Sequence, residues 1–128
     1  MKILLIDDDP DTRSIYGELL TEAGYEVSFA SDGEEGLKKI LEGGYNLILL
    51  DIMMPKIDGM QILKKLQETS PREFNGPIVV LSALDQDHII REALNLGAKG
   101  YLPKPRLSPD EVLAKIAKFI QDDVNIPL

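Results

Sequence analysis

Apolar residues run through this chain in two alternating rhythms. Unbroken apolar runs at residues 3–6, 47–50 and 78–81 suit strands buried on both faces, because their side chains point to either side in turn. Between them, apolar residues three or four apart gather into single stripes, the mark of helices packed on a sheet. The spacing predicts a first helix that opens at Pro10 and Asp11, turns Ile15, Leu19 and Ala23 inward and ends at Gly24. Glu26 to Ala30 reads as a weaker strand at a sheet edge, and Gly33 to Leu41 as a helix with Leu37, Ile40 and Leu41 inward. A third helix over 59–68 aligns Met60, Leu63 and Leu66, and a fourth over 86–96 aligns Ile89, Ile90, Ala93 and Leu94 before Gly97. Gly100 to Leu102 is a short last strand. Ser108, Pro109 and Glu111 then supply the N-cap, first-turn proline and reciprocal acid of a final helix striped by Val112, Leu113, Ile116, Ala117 and Ile120.

Strand and helix patterns thus alternate five times, which predicts an α/β fold. Its core is a doubly wound, five-stranded parallel sheet, and right-handed crossovers favour the order 2-1-3-4-5. One domain is expected over residues 1–121, followed by a short tail over 122–128, with an enlarged loop between Thr69 and Gly76.

The topology gives four places in the sequence a common address. Asp7-Asp8, Asp51, Ser82 and Lys104 each stand where a predicted strand ends, and in a parallel sheet those ends share one edge. Clustered carboxylates form a hard-oxygen site that suits Mg²⁺, an ion that keeps several of its waters. Asp51 is the candidate nucleophile, since a carboxylate can accept a phosphoryl group as an acyl phosphate. Lys104 would hold one phosphoryl oxygen and Ser82 would donate a hydrogen bond to another. Pro105 drives Lys104 towards an extended backbone, and a cis Lys104–Pro105 bond would aim its ammonium inward.

Composition narrows the partners. The chain has 128 residues, no cysteine and a formal net charge of -8, which excludes thiol chemistry and opposes direct nucleic-acid binding. No apolar stretch approaches the ~20 residues of a membrane span. Met1 leads straight into a strand pattern with no room for a leader, so a cytoplasmic location is expected. His88 is expected on an exposed face, Glu34-Glu35 and Lys38-Lys39 on a solvated one, and Met53 and Met54 in packing roles.

These motifs resemble the receiver domains of response regulators in two-component signalling, in their single-domain, chemotaxis-regulator-like form with a flavodoxin-like (βα)5 fold. The resemblance rests on residues 3–9, 49–59, 80–83 and 97–105, and extends from about residue 2 to 121. It implies that Asp51 takes a phosphoryl group from a phosphohistidine on a sensor kinase or phosphotransfer protein. It also implies Mg²⁺ bound by Asp8, Asp51 and the backbone carbonyl of Met53, with Asp7 acting through water. Ser82 and Tyr101 match the family's switch pair, which alters the surface of helix 4, strand 5 and helix 5 and so reaches a downstream protein target.

Met53 and Leu84 match positions that flank the path of an attacking water; both are apolar here, and slow self-dephosphorylation is expected. Lys99-Gly100 replace the acidic pair, and Lys115 and Lys118 the arginine, that many DNA-binding members use to dimerise. Arg106 replaces an aromatic residue common after the Lys-Pro pair. A rival chemistry is a haloacid-dehalogenase-type phosphohydrolase with Asp7 as nucleophile and Asp9 as acid/base, which leaves Asp51 without a task. A receiver-like module that binds without accepting phosphoryl fits the intact set of Asp8, Asp51, Ser82 and Lys104 less well, and a flavin carrier would need small hydroxyl residues where the loop after strand 1 is acidic.

Overall fold

The computed structural model describes residues 1–54, 56–82, 87–103 and 108–124, with Ser82 and residues 122–124 given by backbone alone. Its strands are β1 (Lys2–Ile6), β2 (Glu26–Ala30), β3 (Leu47–Asp51), β4 (Ile78–Ser82) and β5 (Gly100–Pro103). They alternate with α1 (Pro10–Glu22), α2 (Gly33–Glu42), α3 (Gly59–Glu68), α4 (Asp87–Asn95) and α5 (Pro109–Val124). Neighbouring strands pair in parallel in the order β2-β1-β3-β4-β5, the one that right-handed crossovers favour.

Alternation along each strand divides the apolar runs between two cores. Ile3, Leu5, Leu47, Leu49, Val79 and Leu81 meet Tyr16 and Leu20 of α1 and Val112, Ile116 and Ile120 of α5. Leu4, Ile6, Ile48, Leu50 and Val80 face the other way, against Ile40 of α2, Ile62 and Leu63 of α3 and Ala93 of α4. Each of these fully covered Leu or Ile side chains is worth about 1.5–3 kcal/mol, so the central strands dominate stability. β2 is only partly buried, as an edge strand should be.

The stripe of α1 differs from the one its four-residue spacing suggests. Ile15 is 65% exposed and Ala23 also faces solvent, whereas Tyr16 and Leu20 are buried. The helix phase is set at its start, where Asp9 caps Asp11 and Pro10 occupies the first turn. Arg13 then faces inward to the Asp7 carbonyl, and positions three, four and seven residues later (Tyr16, Gly17, Leu20) follow it. Leu94, expected inward, is 41% exposed because Ile90 and Ala93 already meet the sheet. Ala117 of α5 is likewise exposed, at the rim of its stripe. Helix α5 continues to Val124, three residues past the expected boundary at 121.

Caps and loops then hold the ends. Ser108 and Glu111 bond reciprocally at the start of α5, as their spacing predicts. The enlarged loop is stitched to the end of α2: the Asn75 side chain accepts from the Tyr45 N–H at 3.1 Å and donates to the Ile40 carbonyl at 2.9 Å.

Candidate functional site

β1 and β3 are neighbours, with Ile6 beside Leu50, so the next residue of each strand arrives at the same edge of the sheet. Those residues are Asp7 and Asp51, which are 0% and 5% exposed. Asp8 follows on the solvent side of the crevice. Carboxylate oxygens of Asp7, Asp8 and Asp51 all lie within 4.8 Å of one another. Like charges that close repel by an amount on the order of a few kcal/mol per pair, which a bound cation would offset.

Backbone contacts shape both halves of the crevice. The Asp7 N–H donates to the Ala30 carbonyl at 3.1 Å, which ties the turn after β1 to the end of β2. Asp7 Oδ1 accepts from the Asp9 N–H at 3.0 Å, and the Asp7 carbonyl accepts from Arg13 Nη1 at 2.7 Å. Asp9 is itself occupied as the cap of α1, accepting from the Asp11 N–H and the Thr12 hydroxyl. That engagement argues against Asp9 as the acid/base of a phosphohydrolase.

On the other side, the Met53 N–H donates to Asp51 Oδ1 at 3.3 Å and the Gly59 N–H to the Ile52 carbonyl at 2.9 Å. A Cβ on Gly59 would come within 2.6 Å of the Asp51 carbonyl oxygen, so α3 can start this close only with glycine there. Asp58 and Gln61 then cap α3 reciprocally. The loop between β3 and α3 is therefore tied down at both ends.

Its crest is held from α2. Lys56 has φ 67°, the one non-glycine residue with positive φ among those described. Its ammonium lies 3.5 Å from Asp32 Oδ2 and 3.9 Å from Glu34 Oε2. Asp32 divides its carboxylate, since Oδ1 accepts the Glu35 N–H at 2.8 Å as the cap of α2. That backbone bond, opposed by partial desolvation and reinforced by the Lys56 charge, lowers the Asp32 pKa from its ordinary value of 3.8. Next to Lys56, the Ile57 carbonyl oxygen stands 1.6 Å from where a Cβ on Gly33 would be, leaving room for a bare backbone and nothing more.

The structure thus brings Asp7, Asp8 and Asp51 together. Ser82 ends β4, one residue beyond the partner of Asp51 in the register. Tyr101 lies on β5 opposite Val80 with its side chain 37% exposed. Met53, expected to pack, is instead 62% exposed, while Met54 rests against the core beneath α3. His88 is exposed. Lys104, Pro105, Leu84 and Arg106 lie outside the described residues. Sequence reasoning passed over Arg13 and Lys56, because their roles depend on a carbonyl and two carboxylates contributed by other elements.

No helix among the described residues is long and apolar enough to cross a membrane. Residues 3–117 match the family model for the response regulator receiver domain. The transcriptional regulatory protein DltR of Streptococcus agalactiae is 40% identical over 116 residues, 91% of this chain and 50% of that protein. The chain therefore spans about half the length of that relative. The chemotaxis protein CheY of Treponema pallidum is 37% identical over 123 residues, 94% of this chain and 83% of that protein. Among solved structures, a CheY-like receiver domain protein from Methanospirillum hungatei superposes with a TM-score of 0.84 at 30% identity, covering 96% of this chain and 95% of that one. The response regulator TrrA from Thermotoga maritima, solved in complex with Mg(2+)-BeF, gives 0.77 at 33% identity over 92% of this chain and 97% of that one. With the sheet order and the aspartate crevice in agreement, the chain belongs to the response regulator receiver domain family, the signalling domain of two-component systems.

Proposed function

We propose that Asp51 is the phosphoacceptor of this receiver and that Asp7 and Asp8 complete a Mg²⁺ site beside it. The observation that carries the proposal is the convergence of these carboxylates within 4.8 Å at the sheet edge, with Asp51 almost wholly buried. All-oxygen donors of this kind fit Mg²⁺. Asp8, Asp51 and the Met53 carbonyl would hold the ion directly and Asp7 through water. When bound, it neutralises charge on the phosphoryl oxygens.

The chain's own residues supply the rest. An Asp51 carboxylate oxygen attacks the phosphorus of a phosphohistidine on a sensor kinase or phosphotransfer protein. The P–N bond breaks, its electron pair returns to the partner's imidazole, and an acyl phosphate remains on Asp51. The Met53 N–H at Asp51 Oδ1 orients the carboxylate before attack. Lys104 pairs with one phosphoryl oxygen and the Ser82 hydroxyl with another, drawing Ser82 towards the site while the Tyr101 ring turns in behind it. This two-state change alters the α4–β5–α5 surface that a downstream protein reads. The domain performs no chemistry beyond its own phosphorylation and slow self-dephosphorylation, and it works in the cytoplasm. A net charge of -8 favours a protein over a nucleic acid as the direct contact of this chain.

Intact mass after incubation with acetyl phosphate and Mg²⁺ tests the assignment. One added phosphoryl group, dependent on Mg²⁺ and absent from Asp51→Asn, is the expected result. An equal gain in Asp51→Asn would move the acceptor elsewhere.

A further inference from the structure

Lys56 reaches the start of α2, and the loop it crowns connects Asp51 to the cap of α3. From Ile52 to Asp58 this segment includes Met53, the residue whose carbonyl is proposed as a metal ligand. Both ends of the loop are fixed: the Met53 N–H donates to the Asp51 carboxylate, the Gln61 N–H to the Asp58 carboxylate, and the Gly59 N–H joins the two ends through the Ile52 carbonyl. Between those ends the backbone adopts a left-handed turn at a non-glycine residue, a conformation that costs energy unless its surroundings hold it. Two contacts to the start of α2 do so: the Lys56 ammonium against Asp32 and Glu34, and the Ile57 carbonyl lodged over Gly33.

We infer that Lys56 is a positioning residue: by tethering the β3–α3 loop to the N-terminus of α2 it sets the placement of the Met53 carbonyl and hence the affinity of the site for Mg²⁺. The inference rests on the metal site proposed under the function above. Its expected effect is opposite in sign to simple electrostatics. Removing a positive charge near an acidic site should tighten cation binding, because less like charge opposes the ion. Loss of the tether should weaken it, because one ligand must then be ordered by the ion itself.

Titration calorimetry of the metal-free protein with MgCl2 decides between them, beside thermal midpoints without metal. Lys56→Ala and Asp32→Asn, which retains a side-chain oxygen able to cap α2, should each bind Mg²⁺ about three- to five-fold more weakly, the upper part of the range expected of exposed ion pairs. Lys56→Arg should restore affinity to within about two-fold of wild type. Lys56→Gly should relieve the turn, keeping a higher metal-free midpoint than Lys56→Ala while binding Mg²⁺ as weakly. Equal or tighter binding by Lys56→Ala, or a lowered midpoint with an unchanged Kd, overturns the role of Lys56 alone. If Lys56→Ala fails to fold, the Kd of Lys56→Gly decides the same question, since it removes the same charge and tether while relieving the turn. A wild-type protein with no Mg²⁺ binding that Asp8→Asn abolishes would overturn the metal site itself, and this inference with it.

Discussion

The Arg13 guanidinium, one turn into α1, donates a hydrogen bond to the backbone carbonyl of Asp7 at 2.7 Å. This contact ties the phase of the first helix to the turn that bears two of the crevice aspartates. It also brings a fixed positive charge to a site rich in carboxylates. Arg13→Ala should lose a charged hydrogen bond worth about 1.5–3 kcal/mol, visible as a thermal midpoint lowered by roughly 4–12 °C. Arg13→Lys should recover only part of it, because a lysine lacks the planar fork. A midpoint unchanged in Arg13→Ala would show that the contact contributes nothing net.

Crowded carboxylates make a second expectation. In the absence of divalent ions, Asp8→Asn should raise the thermal midpoint, since it removes one charge from the cluster of Asp7, Asp8 and Asp51. The same variant should lose the stabilisation that Mg²⁺ confers on wild type, about 2.7 kcal/mol when the ion is at a hundred times its Kd. Differential scanning calorimetry with and without MgCl2 reads both. A destabilised metal-free Asp8→Asn would mean the carboxylates are already neutralised by other partners.

The pH dependence of stability should carry the mark of Asp32. Its folded pKa is lowered, chiefly by the Glu35 N–H and then by Lys56, so its charge stabilises the fold above the ordinary value of 3.8. That contribution is lost as pH falls through the depressed folded value. Wild type should therefore exceed Asp32→Asn in urea midpoint at neutral pH, and the two should converge in acid once the pH is below the depressed folded value, where the carboxyl is protonated in both states. A gap of constant size across that range would assign the difference to the changed cap rather than to charge.

Met53 bears on the lifetime of the phosphorylated state. Its side chain is exposed beside Asp51 and cannot position an attacking water by hydrogen bonding. Met53→Asn should accelerate loss of the phosphoryl group by up to about ten-fold, below the ~10²–10⁴ of a general base, because an amide can orient a water but cannot take its proton. Decay followed by phosphate release or intact mass measures it. A wild-type protein that already loses its phosphoryl group quickly, with no change in Met53→Asn, would remove Met53 as the determinant.

Much of this molecule was determined by order along the chain alone. Continuous apolar runs at Ile3–Ile6 and Leu47–Leu50 can be satisfied only between two helical layers, so the parallel sheet followed from hydrophobicity. Handedness then favoured the observed strand order, and with it the meeting of Asp7 and Asp51 at one edge. The reciprocal Ser108–Glu111 cap was legible for the same local reason: both partners lie within one turn. What tertiary structure alone decided involves groups far apart in sequence or on the backbone. The inward stripe of α1 is Tyr16 and Leu20 rather than Ile15, because Arg13 must reach a carbonyl that periodicity does not reveal. Met53 is exposed on a loop whose crest meets the start of α2 through Lys56 and the bare backbone of Gly33. Apolar periodicity reports which faces seek burial; it carries no record of which backbone carbonyl, cap or distant carboxylate will set the phase of a helix or the course of a loop.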